Sequence, residues 1–273
     1  MSATLLGTSV DAIFERVLGV EPEVLFVVNP TGRILEVLVD AAKSTSADIP
    51  EIRVLGEEAT LKAAMEDFLI ASTTADLVEA ETLSIRTVPK NGRSSMCVTQ
   101  ESVTALIEAG DRVGGLSSED ATFSESVYEA IAEEWEHAEP YRLRTPALSR
   151  ITETLEKDID SAVRDDFEAI IEGLESAKGD GEGLDEVTIS LLVAARNNVL
   201  LYDISKWGED VGIASKATFS RTKTKLEEQG LIDTEKVPID VGRPRLRLKL
   251  QDERLVDADP AEMADIVRSV VAN

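Results

Sequence analysis

Between residues 20 and 140, short apolar runs alternate with stretches whose apolar residues recur every three or four positions. Val24-Leu25-Phe26-Val27-Val28, Ile52-Arg53-Val54-Leu55, Leu83-Ser84-Ile85-Arg86-Thr87-Val88 and Met96-Cys97-Val98-Thr99 predict strands. The three-to-four spacing predicts helices over 34–42, 60–70, 102–108 and 124–137. Strands alternating with helices predict an α/β domain with a largely parallel sheet. The first strand-to-helix connection, Asn29-Pro30-Thr31-Gly32-Arg33, falls where sheet proteins hold anions on a helix N-terminus. Asn29, Thr31, Gly32 and Arg33 are therefore candidate ligands for a small anionic metabolite. The loop matches neither a Walker loop nor GxGxxG, and an ordinary turn explains the same residues.

From Pro146 the pattern changes to one long amphipathic stretch. Leu148, Ile151, Leu155, Ile159, Ala162, Val163, Phe167, Ile170 and Leu174 share a broad face. It predicts a helical connector that either pairs with its twin in a dimer or packs on its own domain. Lys178-Gly179-Asp180-Gly181-Glu182-Gly183 then reads as a linker. Helical spacing returns over 186–197, with Val187, Ile189, Leu192, Val193 and Ala195 apolar, before the run Val199-Leu200-Leu201-Tyr202. Asp203 is placed to cap a second helix that buries Ile204 and Trp207. Gly208 and Gly212 interrupt the pattern, Ser215 is placed to cap a third helix running to about Gln229, and Gly230 supplies its stop. Strands are predicted over 231–236 and, by strict alternation, over 245–250. A last amphipathic helix, 260–271, turns Met263, Ile266, Val267 and Val270 to one side and offers a second dimer surface. The predicted organisation is an α/β domain over 1–145, a connector over 146–183, a three-helix and hairpin domain over 184–251, and a C-terminal helix over 252–273.

Composition narrows the chemistry. The 273 residues are 43% hydrophobic, enough for two domains with cores. No run approaches the ~20 apolar residues of a membrane helix, and the N-terminus lacks a signal-peptide pattern, so a cytoplasmic protein without membrane contact is expected. The single cysteine, Cys97, fits a reducing compartment and reads as a buried apolar residue. His137 is the only histidine, which argues against a multi-histidine metal centre, and no nucleophile motif is present. No catalytic residue, metal ligand or cofactor is assigned, and an enzyme is not expected. The formal charge of −25, from 28 Lys+Arg and 53 Asp+Glu, keeps a chain hydrated where molar salt screens its self-repulsion. It points to a halophile. Acidity tuned to basic partners is the other reading, but the acidic residues are spread along the chain.

One segment escapes the acid bias. Residues 1–184 carry net −22 and 252–273 net −4, whereas 185–251 hold 11 basic and 10 acidic side chains. Lys216, Arg221, Lys223 and Lys225 lie in an acid-free stretch over 213–226, and Arg243, Arg245, Arg247 and Lys249 in another over 241–250. Two such clusters imply an anionic partner.

Helix, helix, helix, hairpin is the winged helix-turn-helix order. Ser215-Lys216-Ala217-Thr218-Phe219-Ser220-Arg221 with Leu226-Glu227-Glu228-Gln229-Gly230-Leu231-Ile232 resembles the recognition helix and strand entry of MarR- and ArsR-type winged-helix repressors. That resemblance implies double-stranded DNA as partner, a third helix in the major groove, and Ser215, Lys216, Thr218, Arg221 and Lys225 as contacts. Alternation in the last strand puts Arg245, Arg247 and Lys249 opposite Leu246, Leu248 and Leu250. Gly242-Arg243-Pro244 resembles a minor-groove arginine hook, which makes Arg243 a further candidate beside Arg245 and Arg247. Taken with the acidic α/β half and the connector, the chain resembles haloarchaeal regulators of the TbsP type. The resemblance implies a cytoplasmic homodimer that regulates transcription in metabolism; a metabolite-sensing N-terminal domain and one used only for dimerisation by a constitutive architectural DNA binder remain alternative readings of the first half, and a protein-interaction adaptor remains an alternative reading of the helix-turn-helix.

Overall fold

The strands at the centre of the first half bury apolar residues on both faces because helices cover both faces. They are seen in a computed structural model that describes residues 4–5, 13–14, 17, 22–44, 49–90, 92–109, 112–174, 177, 184–239 and 244–271. The chain divides into two units, Met1–Met65 with Thr73–Leu143, and Glu66–Ser72 with Arg144–Asn273.

Successive elements of the first half are β1 (Thr4–Leu5), β2 (Val24–Val28), α1 (Gly32–Ser44), β3 (Glu51–Glu57), α2 (Glu58–Ala64), α3 (Phe68–Glu79), β4 (Leu83–Val88), β5 (Met96–Val98), β6 (Val103–Ala109), β7 (Arg112–Ser118), α4 (Ala121–His137) and β8 (Glu139–Pro140). The strands form one sheet in the order β1-β7-β6-β5-β2-β3-β4-β8. On one face Leu25, Val27, Ile52, Val54, Leu83 and Ile85 pack with Ile34, Leu35, Leu38 and Leu61 of α1 and α2. On the other, Phe26, Val28, Leu55, Val88, Val98 and Val103 pack with Ile131 and Trp135 of α4.

This is the α/β architecture expected, and β2, β3 and β4 form its parallel block, joined by helical crossovers. The flanking pairs, β1 with β7, β7 with β6, β6 with β5, β5 with β2 and β4 with β8, are antiparallel. Short hairpin connections account for β5 with β6 and β6 with β7, since a parallel return needs a long crossover and a hairpin does not, while β1, β5 and β8 meet β7, β2 and β4 from distant parts of the chain. The helix expected over 102–108 is therefore a correction: those residues are β6, paired with β7 from Val103↔Ser118 to Ala109↔Arg112. Val103, Thr104 and Ile107 are β-branched, and a neighbouring strand offers them a pleated surface that a helix does not. The single helix expected over 60–70 is two, α2 and α3. Asp67 divides them, its carboxylate accepting from the Leu69 N–H at 2.9 Å.

The second half contains α5 (Leu148–Asp158), α6 (Ser161–Glu172), α7 (Glu186–Arg196), α8 (Leu201–Val211), α9 (Lys216–Glu228), the hairpin β9 (Ile232–Val237) with β10 (Arg245–Leu250), α10 (Glu253–Asp257) and α11 (Pro260–Val271). Helix α7 is buried at every position from Val187 to Ala195. The amphipathic stretch after Pro146 is two helices, because Asp160 caps α6 by accepting from the Ala162 N–H at 2.8 Å. Its apolar face, with Ile151, Leu155, Val163, Phe167 and Ile170, joins the core around α7. Met263, Ala264 and Val267 of α11 enter the same core. The two faces offered by the sequence as dimer surfaces are thus covered within their own unit. The linker over 178–183 lies outside the described residues. Among the described residues no helix is long and apolar enough to cross a membrane.

Candidate nucleic-acid interface

A helix-turn-helix needs two helices to cross closely, and here a glycine permits it. Gly208, which sequence reading placed at an interruption, is inside α8, and a Cβ built on it would lie 2.3 Å from the Phe219 ring of α9. Gly212 ends α8 with φ +99°, a left-handed conformation that suits glycine. The Gly212 and Ile213 N–H groups return to the Gly208 carbonyl at 3.2 and 2.8 Å. Ser215 then caps α9, its hydroxyl accepting from the Thr218 N–H at 3.2 Å. Phe219 and Leu226 are buried, and Gly230, at φ +71°, turns the chain into β9. The cap expected at Asp203 is a correction. Helix α8 starts one turn earlier, at Leu201, because Leu200 bridges Arg247 of the hairpin and Val199 accepts from the Leu248 N–H at 2.9 Å.

Packing Phe219 and Leu226 inward leaves Lys216, Ala217, Ser220, Arg221, Thr224 and Lys225 exposed on α9. Ser215 and Thr218 are within hydrogen-bond reach of one another at 3.0 Å, and Arg221 Nη2 donates to the Thr218 hydroxyl at 3.3 Å. Lys216 is paired with Glu209 of α8 at 2.6 Å. The contact holds the Glu209 carboxyl below its ordinary pKa through the hydrogen bond from Lys216, and the same bond holds Lys216 above its own. Lys223 is largely buried against Glu227 at 2.6 Å. Among the described residues, no carboxylate forms an ion pair with Arg221.

In the hairpin, Leu246 and Leu250 are half-buried and Leu248 is buried, while Arg245, Arg247 and Lys249 project from the other face. Each of these cations has an acidic neighbour. Arg245 stands 4.6 Å above the Tyr202 ring and 3.5 Å from Asp203. Glu235 takes Lys249 at 2.7 Å and Arg247 at 4.0 Å, and the Lys249 hydrogen bond lowers its pKa. Sequence reasoning missed Asp203, Glu209 and Glu235 as partners. The near-zero net charge of 185–251 was the available signal, because it meant that acids accompany the cations. Residues 240–243, and with them the candidate Arg243, lie outside the described residues.

The structure does not bring the Asn29–Arg33 loop together as an open anion cradle. The Asn29 side chain donates to the Arg93 carbonyl at 3.0 Å, and the Asn29 carbonyl accepts from Ser95 Oγ at 2.6 Å. Thr31 donates its hydroxyl to Glu108 at 2.7 Å, which puts a carboxylate where an anion was expected. Gly32 has open space around it and Arg33 is exposed. Cys97 is buried, and desolvation pushes its thiol up to about 12. His137 is exposed at the end of α4 beside the Glu133 carbonyl. Among the described residues no cluster of His, Cys, Asp or Glu is arranged to hold a metal.

Two family models match the chain: "Transcriptional regulator TbsP-like, N-terminal" over residues 2–146, and "Transcriptional regulator TbsP-like, C-terminal HTH domain" over residues 147–268. Among solved structures, the archaeal chromatin protein TrmBL2, described as showing a novel mode of DNA binding, is similar at 17% identity and a TM-score of 0.36. That match covers 51% of this chain and 54% of TrmBL2, so the likeness spans about half of either molecule. No curated protein matches.

Proposed function

Since the chain belongs to the TbsP-like transcriptional regulators and carries their helix-turn-helix domain, we propose that it binds double-stranded DNA through α9 and the β9–β10 hairpin, in a sequence-specific manner. Helix α9 enters the major groove. Ser215, Lys216, Thr218, Arg221 and Lys225 make its contacts, and Arg221, in the middle of the exposed face, reads a base edge. Arg245 and Arg247 hold phosphates beside it, and Arg243 reaches the minor groove. The observation that carries this reading is the exposed face of α9: a capped helix, pinned by Phe219 over Gly208, whose central arginine has no described carboxylate to neutralise it.

The protein acts as a homodimer in the cytoplasm of a halophile, its −25 charge offset by high salt. Its first unit senses a small anionic metabolite in this reading; a constitutive binder, whose first unit serves only assembly, is the second. Mobility shift on genomic fragments tests the DNA reading, and failure to retard any fragment at molar or reduced salt rejects it. Thermal melting separates the two effector readings, because a ligand at 100 times its Kd adds ~2.7 kcal/mol.

A further inference from the structure

The sheet face that packs against α4 is apolar in its centre and changes character where β3 and β4 begin. In the parallel register Arg53 lies opposite Ser84, and Leu55 opposite Arg86. Two guanidinium groups therefore stand on neighbouring strands of one face. They gather on a single indole, with Cζ of Arg86 at 4.7 Å and Cζ of Arg53 at 5.7 Å from the Trp135 ring centre. Arg86 Nη1 also donates to the Trp135 carbonyl at 2.6 Å.

The two charges are compensated unequally. Glu51 clasps Arg53 through bonds of 2.7 and 2.9 Å. Among the described residues no carboxylate forms an ion pair with Arg86. In a chain with 53 acidic and 28 basic residues, acids were abundant for the purpose. A half-buried arginine beside a second arginine is costly unless an anion offsets it. Both line a cleft of about 1080 Å³ together with Ser84, Glu81, Glu136, Tyr141 and Arg142, at the upper end of the range for small-molecule sites.

We propose that this cleft binds a small molecule bearing one carboxylate or phosphate group, held by Arg86 against Trp135. A guanidinium fork fits either oxyanion. With Glu51 spent on Arg53, the lining sets Glu81 and Glu136 against Arg86 and Arg142, a near-neutral cleft that suits a ligand with one anionic group better than a polyanion. The inference deepens the effector half of the proposed function and replaces the Asn29–Arg33 loop as its site.

Trp135 supplies the readout. The other tryptophan, Trp207, is buried in the second unit with its indole N–H donating to Thr154, and contributes a constant background. The full chain is titrated with inorganic phosphate and, separately, with acetate, each to about 50 mM at constant ionic strength, a range that captures millimolar affinity. Saturable change of emission is expected for at least one, and which one names the anion class. Arg86→Gln is expected to abolish it while the chain still melts in a single cooperative transition. Should that variant not fold, Arg86→Lys, which keeps the charge and loses the fork, is expected to weaken binding about tenfold. No saturable response to either anion, or an Arg86 variant that responds like its parent, overturns the site. Binding of anion without any change in DNA affinity leaves the site standing and removes its effector role.

Discussion

At the scale of single residues, the interface is a set of cations most of which have acids at hand. Lys216 with Glu209, Arg245 with Asp203, and Lys249 and Arg247 with Glu235 are exposed pairs, each worth little and so cheaply exchanged for a phosphate. The carboxylates nevertheless oppose DNA, because they remain nearby after the exchange. Glu235→Gln frees two wing cations at once. Its expected effect is tighter binding to random duplex than to operator in relative terms, with the log–log salt slope steeper by about one, as one more counterion is released. Fluorescence anisotropy across a salt series measures it, and unchanged or weaker binding to random DNA contradicts the role given to Glu235. The outward face of Arg245, Arg247 and Lys249 was legible in the sequence because strand alternation has a period of two. Their partners were not, because Glu235 meets Arg247 only through the hairpin register. Asp203, likewise, reads as a cap until Leu200 is seen bridging the hairpin.

At the scale of elements, the decisive contact is the crossing of α8 and α9. Alanine in place of glycine inside an open helix normally adds stability, by up to about 1 kcal/mol. At position 208 the new methyl would meet the Phe219 ring at 2.3 Å, and overpacking of that kind costs about 1–3 kcal/mol. Gly208→Ala is therefore expected to lower the melting temperature, and Gly208→Ala with Phe219→Leu to recover part of the loss. A Gly208→Ala chain as stable as its parent contradicts the crossing. Most elements could be read from local pattern. The buried strands β2 to β5, helices α1 and α4, and the stops at Gly212 and Gly230 depend on residues close in sequence. β6 could not, because Val103-Thr104-Ala105-Leu106-Ile107 satisfies a helical spacing too, and what selects the strand is β7 alongside it. The break at Asp160 was hidden for a similar reason: the apolar face runs on through it, and only the cap divides α5 from α6.

At the scale of the whole molecule, one acidic chain forms two units, and its segment 185–251 is close to neutral. A helix-turn-helix read by two copies needs half-sites ~34 Å apart, so a dimer of about twice the 29.6 kDa chain is expected by light scattering at molar salt. A monomer at micromolar concentration rejects that assembly. The apolar faces of α5, α6 and α11 are spent inside the second unit, so substitutions there are expected to unfold the chain rather than dissociate a dimer. In molar salt little counterion release remains to drive binding, and affinity must rest on base contacts and shape. That makes Arg221, at the centre of the exposed face of α9, the decisive side chain. The direct measurement is anisotropy of wild type and Arg221→Ala on an operator fragment and on its scrambled sequence at molar salt. A loss of ~1–3 kcal/mol is expected on the operator, with little change on the scrambled duplex and so a reduced ratio between them. Operator affinity within twofold of wild type, with discrimination intact, would contradict the assignment of α9 to the major groove.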